Sequence, residues 1–430
     1  MSLTTTMRWR AGPAHLRAVL LGLVGVSVAV LFRIPELLVF ATPFAVVAVW
    51  SAATRPGMEP QGTGRLAPSD VREGQATTWS MALTHLDRVD HAIALLPQRQ
   101  WLELVPRTGT VLTVVDGPEA RLAMPIRPIR WGRHRSGPAN VVAVSSWGAF
   151  RWMALDTDRP VTALPLPPVF DAAQSPHRGN GLIGVNRSTR LGDGQDFAAI
   201  RPFQPGDRLR RINWRRTQRD GELRVTATHA DEDIHVELVV DATADYGHSD
   251  GIDGAASSLD ASVRAAGAIA EHFLVRGDRV SLRVIGGRPV TLRPGAGSRH
   301  LRRLLEVLAA IDRDSLTRRT NTLTAGGLPH GSLVMLFSPF VAPAAVQQAL
   351  TLAGQGLDVA VIDTLPEDVH LEEDRATSLA WRIRLLERHG ELRAVQRAGV
   401  PVVRWRGAGS LDPFLRALAR RRGVPRVVRS

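Results

Sequence analysis

The sequence contains no cysteine and no lysine. The absence of cysteine excludes disulfides, thiolate zinc sites and cysteine nucleophiles. All 54 basic residues are arginine, and without a lysine the chain cannot form the phosphate-binding P-loop of Walker-type NTPases. The HExxH motif of zinc proteases and the GxSxG motif of serine hydrolases are also missing. These absences exclude several large enzyme classes and favour a non-catalytic protein.

The charge is strongly positive, with a formal net value of +13 at pH 7. The arginines are spread along the chain and do not form the single stripe, interleaved with aromatic residues, that is typical of nucleic-acid binding. Attraction to anionic lipid headgroups is the favoured explanation, and an arginine-rich nucleic-acid binder is the less favoured one. A hydrophobic content of 44% over 430 residues is sufficient for two or three folded units.

Two apolar runs near the N-terminus predict a pair of membrane-spanning helices. Residues 18–32 and 37–53 carry no charged side chain, and each approaches the roughly 17 to 20 residues that a spanning helix needs. Pro35 marks the turn between them. A cleaved signal peptide is the alternative, but no small-residue cleavage site precedes Arg33 and a second apolar run follows at once.

The orientation of this hairpin follows from the arginines beside it. Cytoplasmic flanks of membrane spans are enriched in basic residues, so we expect both chain ends in the cytoplasm and the protein in the cell membrane. The arginines at the two outer ends of the hairpin are Arg8, Arg10, Arg17, Arg55 and Arg65.

Short alternating runs between residues 66 and 165 predict a β-rich, sandwich-like domain. Three tryptophans in it, Trp131, Trp147 and Trp152, are candidates for a ligand face, although packing in the core is the more common role.

Strands and helices alternate from Ile234 onward, with helices expected over residues 259–275, 377–388 and 412–422 among others. This alternation predicts a mostly parallel sheet with helices on both faces. The predicted organisation therefore has five parts: an N-terminal tail with two transmembrane helices (1–54), a linker (55–65), the β-rich domain (66–165), a connecting segment with the PGDRLRRINW motif (166–233) and a C-terminal α/β domain (234–430).

The connecting segment contains seven arginines around one tryptophan between residues 202 and 225. Its Pro-Gly-Asp sequence predicts a turn, because Gly206 is free to adopt a positive φ. We expect Asp207 to pair with Arg210 or Arg211.

The residues after this turn are predicted to be extended. Ile212 and Trp214 would then point to one face and Asn213 to the other.

Three stretches, residues 132–150, 195–225 and 236–245, together resemble the bacterial "domain of unknown function 58" family. Phe203 stands where that family usually has tyrosine, which removes a hydroxyl group and keeps the ring. The resemblance implies two N-terminal spans, a β-rich segment and a C-terminal von Willebrand factor A-like domain with a Rossmann-like fold. It also implies cooperation with a MoxR-type AAA+ ATPase.

The resemblance further implies a divalent ion such as Mg²⁺ at the carboxyl edge of the sheet, held by an Asp-x-Ser-x-Ser pattern, a loop threonine and a second aspartate. Pro339 stands where that second aspartate is expected, so the predicted site is degenerate. If no ion binds, Asp241 is a turn or capping carboxylate. The candidate ligands are Asp241, Thr243, Asp245, Thr320 and Thr322.

The leading functional hypothesis is a membrane-anchored, non-catalytic adaptor that faces the cytoplasm and works with the MoxR-type ATPase in assembly or maturation of other proteins. The alternative is a metal-dependent enzyme that uses Asp241 and Asp245. The arginine segment either joins the domains through arginine–carboxylate pairs or binds an acidic partner segment or a nucleotide phosphate. Its candidate residues are Arg201, Phe203, Gly206, Asp207, Arg210, Arg211, Trp214 and Arg219.

Overall fold

The computed structural model of the protein describes residues 5–6, 8–166, 187–205, 207–231, 235–286, 290–311, 332–369 and 375–411. The chain divides into two compact units, Met1–Pro165 with Gly251–Asp253, and Leu166–Asp250 with Gly254–Ser430.

The first unit begins with two short strands, β1 (Thr5–Thr6) and β2 (Arg10–Ala11), and two apolar helices, α1 (Pro13–Phe32) and α2 (Glu36–Ala53). Both helices are long and apolar enough to span a membrane, with mean hydropathies of 2.1 and 1.8. The turn between them forms because Arg33 adopts a left-handed conformation, with φ of 56°.

The rest of this unit consists of sheets. Its strands are β3 (Gln61–Ala67), β4 (Asp70–Arg72), β5 (Thr77–Thr84), β6 (Val89–Leu95), β7 (Leu102–Leu104), β8 (Thr110–Val114), β9 (Glu119–Pro128), β10 (Gly132–Arg135), β11 (Asn140–Ser145), β12 (Phe150–Leu155) and β13 (Pro160–Leu164). They form sheets in the orders β3-β5-β9-β7, β1-β12-β11-β6-β8 (with β2 also on β12) and β10-β13-β4.

One hydrophobic core unites the inward faces of the two larger sheets. Alternate residues of β5, such as Trp79 and Met81, are buried in the same core as Trp152 of β12, because successive side chains of a strand point to opposite faces. The packing role expected for the tryptophans is confirmed for Trp131 and Trp152, which are buried, whereas Trp147 is 73% exposed.

The second unit begins with a ribbon of two antiparallel strands, β14 (Arg187–Pro202) and β15 (Arg224–Asp231). Among the sheets of the described chain, these two strands pair only with each other. The connection between them holds a short 3-10 turn, Leu209–Arg211, and helix α3 (Trp214–Asp220). Gly221 ends that helix with a φ of 73°, a conformation that favours glycine.

A six-stranded sheet forms the centre of the second unit, in the order β18-β17-β16-β19-β20-β21. All neighbouring pairs are parallel except β17 and β18. The strands are β16 (His235–Asp241), β17 (Arg279–Ile285), β18 (Val290–Gly295), β19 (Leu333–Ser338), β20 (Asp358–Asp363) and β21 (Val402–Arg404).

Four helices connect these strands: α4 (Ser258–Val275), α5 (Gly297–Ala309), α6 (Pro343–Gly354) and α7 (Arg375–Arg397). Helix α4 contacts β16, β17 and α5. Helices α6 and α7 pack on the other face of the sheet. Their core includes the strand residues Val239 and Leu336. The mixed α/β character predicted for the C-terminal region is therefore confirmed, with helices on both faces of the sheet.

The length of helix α7 differs from its prediction. Helix α7 was expected over residues 377–388 and continues to Arg397, because Leu392 and Val395 extend its buried face. The helix predicted over residues 412–422 lies outside the described residues.

The amino end of the sheet contains a buried polar cluster that the strand pattern did not predict. Glu237 is 2% exposed, and Arg283 donates to it over 2.6 Å. His235 contacts the hydroxyl groups of Ser281 and Ser332 at 2.8 Å each. Burial lowers the pKa of His235 below its ordinary value. The cluster therefore satisfies charged and polar groups inside the parallel sheet.

Candidate functional site

The carboxyl edge of the six-stranded sheet brings together polar residues from three neighbouring strands. Asp241 ends β16, Ser338 ends β19 and Asp363 ends β20. Because β19 lies between β16 and β20, the three residues share one edge. Ligands of open parallel sheets bind at such edges, so this is the first candidate site.

Asp241 is almost fully buried, with 4% of its surface exposed. Its Oδ1 accepts hydrogen bonds from the Thr243 amide at 3.0 Å and from the Thr243 hydroxyl at 2.6 Å. Its Oδ2 accepts from the Ser338 hydroxyl at 2.6 Å. Both carboxylate oxygens are thus bonded to protein groups, and the aspartate joins two strands and the loop after β16.

Asp245 lies in the loop after β16, and its side chain reaches the first turn of helix α4. Its Oδ1 accepts from the Leu259 amide at 3.0 Å and from the Ser258 hydroxyl at 3.3 Å. A carboxylate at this position is favoured by the exposed amides and positive end of a helix. Asp245 therefore attaches the loop after β16 to the helix.

The second buried carboxylate of this edge is Asp363, and it forms an ion pair with Arg388 of α7. The arginine is 4% exposed and also donates to the Pro339 carbonyl at 2.8 Å. Sequence reasoning missed this pair, because Asp363 and Arg388 lie on separate elements and only the packing of α7 brings them together. The available signal in the sequence was Asp363 itself, a carboxylate at the end of an apolar strand.

Gly286 is another residue that sequence reasoning did not identify. It follows β17 with a φ of 84°, and a Cβ atom there would lie 2.4 Å from the Thr243 amide nitrogen. Glycine is therefore required for the close approach of the loop that holds Thr243.

The described residues do not provide the ligand set expected for a divalent ion. No group of three or more histidine, aspartate or glutamate side chains suited to a metal occurs among them. Asp241 is bonded to protein donors, and Pro339 offers only a carbonyl that Arg388 occupies. Thr320 and Thr322 lie outside the described residues. The arrangement fits a hydrogen-bonded strand edge better than a Mg²⁺ site.

The arginine segment forms the tip of the β14–β15 ribbon. Arg201 makes a two-pronged ion pair with Asp207, with nitrogen–oxygen distances of 2.7 and 2.6 Å. The prediction that Asp207 pairs with Arg210 or Arg211 is thus wrong. Arg201 lies at the end of β14, where the chain bends back toward it, and the Gln204 amide also donates to Asp207 at 2.9 Å. The Arg201 guanidinium, followed by this amide, holds the pKa of Asp207 below its ordinary value.

The prediction that Ile212 and Trp214 share one face of an extended stretch is also wrong. Ile212 is 9% exposed and bridges to Val225, whereas Trp214 begins helix α3 and is 62% exposed. The reason is Asn213, whose side chain accepts from the Arg216 amide at 3.1 Å and caps the helix.

The remaining predicted residues of the segment differ in accessibility. Phe203 and Arg211 are half-buried, and Arg210 and Arg219 are exposed. Gly206 lies outside the described residues. The tip therefore combines an internal ion pair with arginines that face solvent.

Comparison with known proteins relates part of the second unit to a family. Residues 199–375 match the family described as "Protein of unknown function DUF58". An uncharacterized protein of Mycobacterium bovis is 28% identical over 206 residues, which cover 45% of this chain and 63% of the relative. Uncharacterized proteins of two Mycobacterium tuberculosis strains match to the same extent. The chain thus spans 63% of the length of these relatives.

Proposed function

We propose that this DUF58 protein is a membrane-anchored, non-catalytic interaction module whose second unit faces the cytoplasm. It would act as an adaptor for a MoxR-type AAA+ ATPase in the assembly or maturation of other proteins. The von Willebrand factor A-like character of the α/β region belongs to the same proposal, and the parallel sheet with helices on both faces supports it.

The surfaces of α1 and α2 support the membrane anchor. Only 17% and 11% of the residues in their most apolar windows are buried, so these helices expose apolar side chains instead of packing inside a core. The outward residues include Leu31 and Phe40, which are 77% and 72% exposed. Lipid is the solvent in which such surfaces are stable.

The contact between α1 and α2 supports the same proposal. A Cβ atom at Gly22 would lie 3.0 Å from the Ala45 amide nitrogen, and one at Gly25 would lie 2.7 Å from the Ala41 Cβ. Small residues at such positions let two helices approach closely, as is common in membranes.

The single observation that carries the interaction role is an exposed apolar stripe on α7. Leu379, Ile383 and Leu386 are 57%, 49% and 73% exposed. Their spacing of four and three residues places them on one face of the helix. We call these three residues the α7 stripe. An apolar stripe of this kind is typical of a protein-binding surface.

The opposite face of α7 attaches the helix to the carboxyl edge. Trp381 stacks on Tyr246 at 5.6 Å between ring centroids, and Arg388 pairs with Asp363. Arg384 donates to the Val341 carbonyl at 2.7 Å. A partner seated on the α7 stripe would therefore be held by a helix that is rigidly connected to the carboxyl edge around Asp241 and Asp245.

The identity of the proposed partner comes from the family resemblance, and the sequence is compatible with it. The chain has no lysine and so no Walker P-loop of its own. Under this proposal the partner ATPase supplies the ATP hydrolysis.

The experiment uses the purified full chain in lipid nanodiscs and the purified MoxR-type ATPase of the same organism. The variant L379S/I383S/L386S is expected to weaken binding at least about tenfold, because central apolar anchors carry much of an interface's affinity. Its melting temperature should change little, since these side chains are already exposed.

The matched control is L112S/V114S, which removes apolar side chains that are 56% and 69% exposed on β8. This control should bind like the unaltered protein. An ATPase that does not bind, or equal losses in both variants, would disprove the proposal.

A further inference from the structure

The tip of the β14–β15 ribbon exposes large apolar side chains to solvent. Leu209 is 71% exposed, Trp214 is 62% exposed and Leu223 is 45% exposed. These residues lie within one short connection, residues 203–223, and not in the core of the unit. Exposed apolar groups clustered in this way indicate a contact surface.

Three arginines accompany these apolar groups. Arg210, Arg215 and Arg219 are exposed, and none of them forms an ion pair with another residue in the described part of the chain. Other arginines of the segment are already paired, such as Arg201 with Asp207. Arg215 and Arg219 lie one helical turn apart on α3. The tip therefore presents guanidinium groups that are available to an external anion.

The local structure holds this surface in place. Asn213 caps the start of α3 and Gly221 ends it. The Phe203 amide donates to the Leu223 carbonyl at 2.9 Å, which closes the base of the connection. An ordered surface loses little conformational entropy when it binds.

We infer that Leu209, Trp214, Arg210, Arg215 and Arg219, together called the tip surface, bind the anionic headgroup layer of the bilayer that anchors the chain. Guanidinium groups bind phosphate through two parallel hydrogen bonds. Tryptophan and leucine side chains are stable at the boundary between headgroups and acyl chains.

This inference rests on the membrane anchor of the proposed function. The anchor keeps the bilayer within reach of the same molecule, so a weak contact is enough to be populated. Each arginine near an anionic surface raises the binding constant of such a contact about fivefold.

Anionic lipid fits the tip surface better than nucleic acid or an acidic protein segment does. Nucleic acid would use the arginines and could stack on Trp214, but it offers no apolar layer for Leu209. A purely acidic peptide would likewise leave Leu209 in water.

The test compares the full chain in nanodiscs of phosphatidylcholine alone with nanodiscs that also contain phosphatidylglycerol. Amide hydrogen exchange over residues 209–223 is the measurement. We expect exchange to slow by about tenfold in the anionic discs, as for a region whose local opening is suppressed. High salt should reverse the effect because it screens the arginines.

The variant R210Q/R215Q/R219Q should lose this protection. The matched control is R293Q/R299Q/R303Q, which removes the same charge from three exposed arginines of the same unit. These arginines have no strongly exposed large apolar residues beside them. The control should keep the protection. Protection that is independent of lipid charge, or that appears only when the ATPase or duplex DNA is added, would overturn the inference.

A second measurement separates this inference from the proposed anchor. Resistance to alkaline carbonate extraction shows whether α1 and α2 are integrated in the bilayer, whatever the lipid charge. A chain that is extracted contradicts the anchor and this inference together. A chain that stays integrated but shows no lipid-dependent protection contradicts this inference alone.

Discussion

Asp241 shows how one side chain can connect distant parts of a chain. Its neighbours in sequence, such as Thr243, are within reach by local geometry alone. The other partner, Ser338, is 97 residues away and meets it only because β19 is the strand beside β16. The serine hydroxyl also accepts from the Phe340 amide at 3.0 Å. The two side chains thus hold the loops after both strands.

The first prediction concerns this pair. Replacing Ser338 or Asp241 with alanine leaves buried hydrogen-bonding groups without partners, which costs about 1–3 kcal/mol in the free energy of unfolding. D241N should cost less, because asparagine keeps the shape and still accepts from Thr243. Denaturant unfolding of the full chain measures the three variants.

The same proteins test the Mg²⁺ site. If Asp241 is a structural acceptor, adding Mg²⁺ leaves the melting temperature of the unaltered protein unchanged, and calorimetry detects no binding heat. A melting temperature that rises with Mg²⁺ and no longer does so in D241N would establish the metal site instead.

At the scale of elements, hydrophobic spacing located helix α4 closely but predicted too early an end for helix α7. Helix α4 was expected over residues 259–275 and occupies Ser258–Val275. A capping box between Ser257 and Asp260 defines its start. Helix α7 continues beyond its predicted end at Arg388 because Leu392 and Val395 extend its buried face, and Arg388 itself is buried in that face.

The second prediction concerns His272 near the end of α4. Burial, with a smaller effect of Arg276, lowers its pKa from 6.5 to about 4. Between these two values the unfolded chain binds a proton that the folded chain does not. The free energy of unfolding therefore falls as the pH drops from about 6.5 to about 4.

Substituting His272 by glutamine should flatten this pH dependence. The substitution should not abolish the pH dependence, because burial also lowers the pKa of His134 and His235. Unfolding measured across this pH range provides the test, with H248Q as the control at a side chain that is 83% exposed. Identical curves for H272Q and the unaltered protein would contradict the prediction.

At the scale of the whole molecule, the chain consists of two compact units, and the apolar helices belong to the first. The proposed function requires that the second unit and both chain ends lie on the cytoplasmic side. The arginines that flank the helices favour this orientation.

The third prediction uses the absence of cysteine to test that orientation. Single cysteines at Ile34, Met58 and Val275, which are 42%, 55% and 78% exposed, can be labelled with a membrane-impermeant maleimide. Ile34→Cys lies in the turn between α1 and α2 and should react in intact cells. Met58→Cys and Val275→Cys should react only in inverted vesicles.

The unaltered protein, which has no thiol, provides the background for this labelling. The reverse pattern would place the second unit outside the cell and would contradict the proposed contact with a cytoplasmic ATPase.

The sequence by itself determined the features that depend on neighbouring residues. The two apolar helices, the alternation of strands and helices after Ile234, and Asp241 at a strand end all follow from local composition and periodicity. Tertiary structure alone decided which distant groups meet. The Ser338–Asp241 bond, the Asp363–Arg388 pair and the outward face of α7 depend on strand order and helix packing, which bring together residues that no local pattern relates.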